Sequence, residues 1–249
     1  MSDGAKCCGA DAPLDQIRSL YAELALDPDK DFGWGKGKEN ARALGYDAAW
    51  LERLPEPVWE SAAAVGNPFG LGPICAGETV LDLGCGAGAD TCIAALLVGS
   101  RGRVVGLDIT PAMVEKARRN ARLAGLPNVE VHEADMARAP LQDACVDVVI
   151  SNGSINLALD KASVFREASR VLRPGGRLQF ADMVRSEASC AAAQACGETS
   201  WADCVSGTLP AEEVLNLLRK VGFREVALVG HTDYRTSPST IGATFRAVK

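Results

Sequence analysis

Histidine is almost absent from this chain, occurring only at His132 and His231 among 249 residues. One lies in a predicted strand and the other in a predicted hairpin, neither with a sequence-visible partner. Both therefore read as structural residues, and neither an imidazole base nor a metal centre is expected. Positive charge is also in deficit: 26 lysines and arginines face 32 aspartates and glutamates, a net charge of −6. That balance argues against a broad phosphate-binding surface, so nucleic acid is not an expected partner, even with the local run Arg118, Arg119 and Arg122. No stretch approaches the ~20 apolar residues that cross a bilayer. Met1 to Pro13 holds no apolar run of the secretory type, so a cytoplasmic protein without a membrane partner is expected. No internal repeat is visible.

Cysteine, by contrast, is plentiful, at positions 7, 8, 75, 85, 92, 145, 190, 196 and 204. An odd count without a secretory signal does not read as a disulfide framework, and reduced thiols are expected. The vicinal pair Cys7-Cys8 supplies too few ligands for a closed tetrahedral site and reads as part of a terminal tail. With 47% apolar and 23% charged residues the chain can bury one main core, accompanied by an extension.

The extension is taken as residues 1–65, a helical segment and candidate lid, and the main domain as 66–249. Ile17, Leu20, Tyr21 and Leu24 recur at helical spacing within Asp15 to Leu26. The glycine-rich run from Asp31 to Gly37 carries Phe32 and Trp34 and reads equally as a lid or a linker. Short helices are expected over 39–44, 47–54 and 56–65, then a turn at Asn67-Pro68-Phe69-Gly70. From Thr79 the chain alternates strands near 79–84, 103–108, 128–133, 145–151 and 176–183 with helices near 89–98, 111–124 and 160–172. Thr110 and Asp160 stand as helix caps. After an insertion reaching Ser206 come a helix from Pro210 to Lys220 and strands near 223–230 and 241–247, which form a hairpin. The pattern predicts an α/β fold with a mostly parallel sheet, helices on both faces and an antiparallel end.

The most informative stretch is Val80 to Asp90, where a buried strand ends in Gly84, Gly86 and Gly88 before an alanine-rich helix. Glycines there permit a sharp strand-to-helix turn and let a ligand approach the backbone. Asp108 closes the next strand, where a carboxylate accepts ribose hydroxyls. Only Ala87 separates the second and third glycines, so the spacing suits a nucleotide-type cofactor and disfavours a pyrophosphate.

Asp82 to Gly88, Asp108, Ala134-Asp135, Asp147 to Asn152 and Arg170 to Gly176 resemble the successive motifs of class I S-adenosylmethionine-dependent methyltransferases, over residues 60 to 249. That resemblance implies a Rossmann-like seven-stranded sheet. It also implies S-adenosylmethionine as cofactor, with its methionine end near Gly84 to Gly88, its ribose on Asp108 and its adenine beside Asp135-Met136. The cofactor set so implied is Asp82, Gly84, Cys85, Gly86, Gly88, Asp90, Asp108, Ile109, Ala134, Asp135, Met136 and Ser151.

Within that class, Asn156-Leu157, Asp160-Lys161, Val164-Phe165 and Trp201 with Cys204 to Gly207 are similar to the arsenite methyltransferases. The family is taken to hold arsenic with three cysteines, and here only Cys204 corresponds. Val65-Gly66-Asn67 and Ser151-Asn152-Gly153-Ser154 stand where the other two occur, while Cys75, Cys190 and Cys196 are substitutes at different positions.

With no histidine base, the acceptor is expected to be soft, needing no strong base. A small thiol or sulfide is the first expectation and arsenite the alternative, followed by a quinone-like ring carbon or a binding-only pseudoenzyme. Asn152 is expected to position the acceptor, Phe69 and Trp201 to enclose it, and Cys204 to contact it, with transfer direct and without a covalent enzyme intermediate. A small-molecule partner and a monomer or homodimer complete the expectations.

Overall fold

The computed structural model describes residues 12–186 and 207–249. Its centre is a seven-stranded sheet of order β3-β2-β1-β4-β5-β7-β6. The strands are β1 (Thr79–Leu83), β2 (Arg103–Asp108), β3 (Val129–Glu133), β4 (Val146–Asn152), β5 (Leu172–Arg185), β6 (Arg224–His231) and β7 (Thr240–Val248). β1 to β5 pair in parallel, and β7 runs antiparallel to both β5 and β6.

Covered on both faces, β1 reads as a continuous apolar run, and its Val80, Leu81 and Leu83 are fully buried. The helices that cover it are α5 (Ala89–Val98), α6 (Pro111–Leu123) and α7 (Lys161–Val171), with α8 (Ala211–Val221) following. The chain moves outward from β1 through β2 to β3 and then returns to β4 on the other side of β1. Open α/β sheets bind ligands beyond the carboxyl ends of their strands at such a reversal.

Element boundaries differ from the sequence reading mainly where tertiary contacts compete with local preference. The first helix, α1, begins earlier, at Ala12, and runs to Leu26, and β5 starts at Leu172, ahead of its Pro174-Gly175-Gly176 turn signal. Asp160 caps α7 as expected, accepting from the Ser163 amide at 3.1 Å. Thr110 does not cap with its side chain; Asp108 instead accepts the Thr110 amide at 2.8 Å.

The helix expected over 56–65 stops early, as α4 (Glu56–Trp59), preceded by α2 (Gly37–Ala43) and α3 (Ala48–Arg53). Beyond it the alanine-rich chain is extended by outside partners. Ala62 O accepts from Gly37 N, Ala64 O from Asn40 Nδ2, and Val65 N donates to Asn152 Oδ1. Alanine's helix preference, a few tenths of a kcal/mol per residue, is outweighed by these bonds at ~1 kcal/mol each.

α1 is fastened at its carboxyl end by a buried cation. Lys116, 4% exposed, donates through Nζ to Ala25 O at 3.2 Å and to Ser61 Oγ at 2.9 Å, and pairs with Glu60 at 3.2 Å. Ser61 Oγ donates in turn to Leu24 O at 2.9 Å. The last carbonyls of a helix lack intrahelical donors, and a positive charge there also opposes the helix dipole. Lys116→Met should therefore cost about 2 kcal/mol, the range for hydrogen bonds to a charged group. Urea denaturation would show this as a lower midpoint, with faster amide exchange in α1; unchanged exchange would show that the apolar face alone holds the helix.

Candidate active site

At the carboxyl edge of β1, β2, β3 and β4 lies a cavity of about 550 Å3. Its floor is the turn from β1 into α5, and its outer wall comes from the extension through Leu14, Ile17, Tyr21 and Leu24 of α1, Tyr46, Trp59 and residues 61–64.

The three glycines serve different ends. A Cβ on Gly84, whose φ is +69°, would lie 2.3 Å from the Ser154 Cβ, so close approach of the β4 end requires glycine there. A Cβ on Gly86 would meet nothing within 4 Å, leaving the crest open to the cavity. Gly88 corrects the expectation of ligand contact: it does not line the cavity, and its Cβ would press on Ala117 of α6 at 3.1 Å. It is required for helix packing.

Of the other expected cofactor residues, Asp82, Cys85, Asp90, Asp108, Ile109, Ala134, Asp135 and Met136 all line the cavity. Ser151 does not. Its buried hydroxyl donates to Leu83 O at 2.8 Å, and Ser154 occupies the wall in its place. Asp108 accepts Gly86 N and Thr110 N, each at 2.8 Å and each on a different oxygen. A carboxylate offers about four lone-pair sites, so acceptor capacity remains on both oxygens.

The four expected acceptor residues fare differently. Asn152 lines the cavity, but its amide already joins the extension to the sheet edge. Its Nδ2 shares two N–H donors among Asp90 Oδ2, Tyr46 Oη and Gly66 O, each 2.9 Å away, and its Oδ1 accepts from Val65 N at 3.0 Å. Tyr46 Oη donates to Asp90 Oδ1 at 2.8 Å. Phe69 lies outside the wall, which corrects its enclosing role: Asn67 caps the short turn Pro68–Leu71, and the ring packs edge-on against Tyr46 and Trp50. Trp34 is also absent from the wall and sits against Phe32. Trp201 and Cys204, with Cys190, Cys196 and the Cys7-Cys8 pair, fall outside the described residues. Neither His132 nor His231 reaches the cavity. Ser154 belongs to the Ser151-to-Ser154 stretch already expected at this edge, whereas Tyr46 was not legible beforehand, because no motif surrounds it.

A family model described as a methyltransferase domain matches residues 74–222. This chain belongs to that family. The methyltransferase is 35% identical over 230 residues to an arsenite methyltransferase of Halobacterium salinarum, covering 91% of this chain and 55% of that protein. It is 36% identical over 215 residues to one from Aquipseudomonas alcaligenes, covering 79% and 61%. The chain thus spans little more than half the length of these curated relatives. Among solved structures it is similar to an arsenic(III) S-adenosylmethionine methyltransferase from Chlamydomonas reinhardtii, at 30% identity and a TM-score of 0.58, covering 86% of this chain and 75% of that one.

The cofactor is S-adenosylmethionine, and the cavity fits its charge. Burial and the neighbouring Asp90 charge push Asp82 up to about 8, against the opposing Thr91 hydroxyl at 2.6 Å. Burial raises Asp90 to about 6, opposed by Asn152 and Tyr46, and raises Asp108 against its amide donors. Of the described basic residues only Arg138 lines the cavity, and it is solvent-exposed. Clustered acids without a buried counter-cation suit a ligand bearing a sulfonium and an ammonium. Cys85 is no nucleophile: burial drives its thiol well above the ordinary range, and its sulfur is turned towards Gly106.

These acids destabilise the ligand-free fold as they ionise. Asp90 and Asp82, raised to about 6 and about 8, and the buried Asp182 of β5, which lies outside the cavity and is raised to about 7, keep protons in the fold that the unfolded chain has lost. The folded state therefore binds more protons between about pH 4 and about pH 8, and unfolding free energy falls as pH rises through that window. Thermal melts of the ligand-free methyltransferase should show the decline, and Asp82→Asn should flatten its upper part. A melting temperature that rises from about pH 5 to about pH 8 would contradict the charge assignment.

Proposed function

We propose that this chain transfers the methyl group of S-adenosylmethionine to a soft acceptor atom, trivalent arsenic. The softness rests on one observation: both histidines stand away from the cavity. Two of its buried acids are committed as well, Asp90 to Tyr46 and Asn152 and Asp82 to Thr91. An amine or hydroxyl acceptor would need a base to take its proton, whereas an arsenic lone pair does not. The choice of arsenic is supported by the relatives named arsenite methyltransferase and by the similar Chlamydomonas structure.

When bound, S-adenosylmethionine supplies a methyl group on a positively charged sulfur. The arsenic lone pair forms the new As–C bond as the C–S bond breaks, sulfur keeps that bond's electron pair as a thioether, and an As–OH proton passes to water. The chain's part is placement and exclusion of water. Asp108 holds the ribose, Asp82 and Asp90 balance the positive charge, and α1 with residues 61–64 covers the reacting groups.

A second reading, methylation of a small thiol or sulfide, has its own support. A Cβ on Gly153 would lie 3.1 Å from Val65 Cγ1, so the two stretches that stand where the family carries cysteines, Val65-Gly66-Asn67 and Ser151 to Ser154, meet without a thiol in either. An acceptor with its own sulfur does not need that chelate.

Purified protein with labelled S-adenosylmethionine and a panel of arsenite, sulfide, methanethiol and quinols should yield methylated arsenic. Product on thiols alone would replace arsenic by the second reading, and product on quinols alone would remove both. Asp108→Ala should weaken cofactor binding ten- to a hundred-fold, the ~1.5–3 kcal/mol of a charge-assisted contact. Unchanged affinity by calorimetry would remove Asp108 from the ribose.

A further inference from the structure

We infer that Asp182 is a positioning residue: its carboxyl group seats the turn that forms the inner wall of the cavity and so sets where the acceptor stands against the methyl donor. The inference rests on methyl transfer at this cavity and not on the identity of the acceptor. The turn is residues 153–157, which leave β4 and pass through a short helical piece, Ile155–Leu157, before α7. Gly153, Ser154, Leu157 and Ala158 all line the cavity.

One end of the turn is fastened to the cavity floor. Ser154 Oγ donates to Leu83 O at 2.8 Å, and the side chain lies against Gly84 of the glycine turn. The other end is fastened to β5. Gly153 N donates to Ala181 O at 2.9 Å, Asp182 Oδ2 accepts from Asn156 N at 2.9 Å, and Asp182 Oδ1 accepts from Met183 N at 2.8 Å. The side chain of Asn156 adds nothing to this anchorage. It is 2% exposed, and among the described residues neither its Oδ1 nor its Nδ2 has a hydrogen-bond partner. A buried amide left unpaired works against the turn, and the tether to Asp182 offsets that cost.

Asp182 is itself out of water, 4% exposed. Around it, α7 presents Lys161, whose own charge burial disfavours, β7 presents Ala243 in the opposite register position, and β4 presents Asn152 beside Ala181. Burial raises Asp182 to about 7 against its amide donors and the Lys161 charge. Lifting the turn returns water to the carboxyl group and lowers its pKa towards ~3.9. The seated turn is therefore favoured where Asp182 keeps its proton, and it weakens as pH rises through about 7.

The test uses the whole chain with Asp182→Asn and Asp182→Ala, and arsenite and methanethiol as acceptors at saturating S-adenosylmethionine. Asparagine keeps the shape and neutrality of the protonated acid, whereas alanine keeps no acceptor. The ratio of wild-type to Asp182→Asn kcat should stand near one at about pH 6 and fall about tenfold by about pH 8, because the protonated acid seats the turn. Taking the ratio cancels ionisation of the acceptor. Asp182→Ala should lower kcat roughly ten- to a hundred-fold at both pH values, the cost of misplaced reacting groups, with S-adenosylmethionine affinity by calorimetry within about twofold of wild type.

Amide exchange over residues 153–158, corrected for its intrinsic pH dependence, makes the same comparison without turnover. It should quicken in Asp182→Ala, and in the wild type between about pH 6 and about pH 8, but not in Asp182→Asn. A flat kcat ratio with unchanged exchange, or wild-type kcat in Asp182→Ala, overturns the inference. Should the alanine variant fail to fold, the asparagine ratio decides alone. Should neither acceptor give product, the exchange comparison decides whether Asp182 seats the turn, and the soft-acceptor reading fails separately.

Discussion

The amide of Asn152 is the point on which the site's geometry depends. It stands at the carboxyl end of β4, accepts from the Val65 amide, and shares its two N–H donors among the Asp90 carboxylate at the start of α5, the Tyr46 hydroxyl from the extension and the Gly66 carbonyl. A side-chain amide has two donors and an acceptor with two lone pairs, and a buried one is costly to leave unpaired. Three parts of the chain are thereby drawn together. The alanine-rich segment 62–64 is held out of helix, Val65 is set against Gly153, and the cavity acquires its outer wall.

A further consequence is electrostatic. The same contacts that seal the wall remove water from Asp82 and Asp90, so their carboxylates resist ionisation in the ligand-free protein. A cationic donor relieves that cost, and a product that has lost its sulfonium charge relieves less of it. Binding, release and the covering of the reacting groups thus share one cause, the enclosure of acids beneath α1. Lys116 contributes from outside the cavity by fixing the far end of the covering helix.

Much of this was legible in the chain, because the informative residues are local. The strand-glycine-helix stretch at Val80 to Asp90, the acid at the end of β2 and the alternation from Thr79 onward led to the right sheet, its antiparallel end and most of the cavity floor. The wall was not legible, because it is made by contacts between distant positions. Tyr46 meets Asp90 across 44 residues and Asn152 across 106, and neither separation leaves a local pattern. Phe69 looked like an enclosing aromatic because only its nearness to the first strand could be read, and its capped turn directs it to Tyr46 and Trp50 instead. Gly88 and Ser151 belong to the expected motifs, yet one is spent on helix packing and the other on a strand carbonyl.

Enclosed, proton-holding acids form a cradle for a cationic methyl donor, and calorimetric titration with S-adenosylmethionine at pH 7, repeated in buffers of different ionisation enthalpy, tests this. Net release of up to about one proton per cofactor is predicted, as Asp82 is driven to ionise, with a smaller release for the uncharged-sulfur product S-adenosylhomocysteine. No proton release with the donor, or equal release with donor and product, would contradict it.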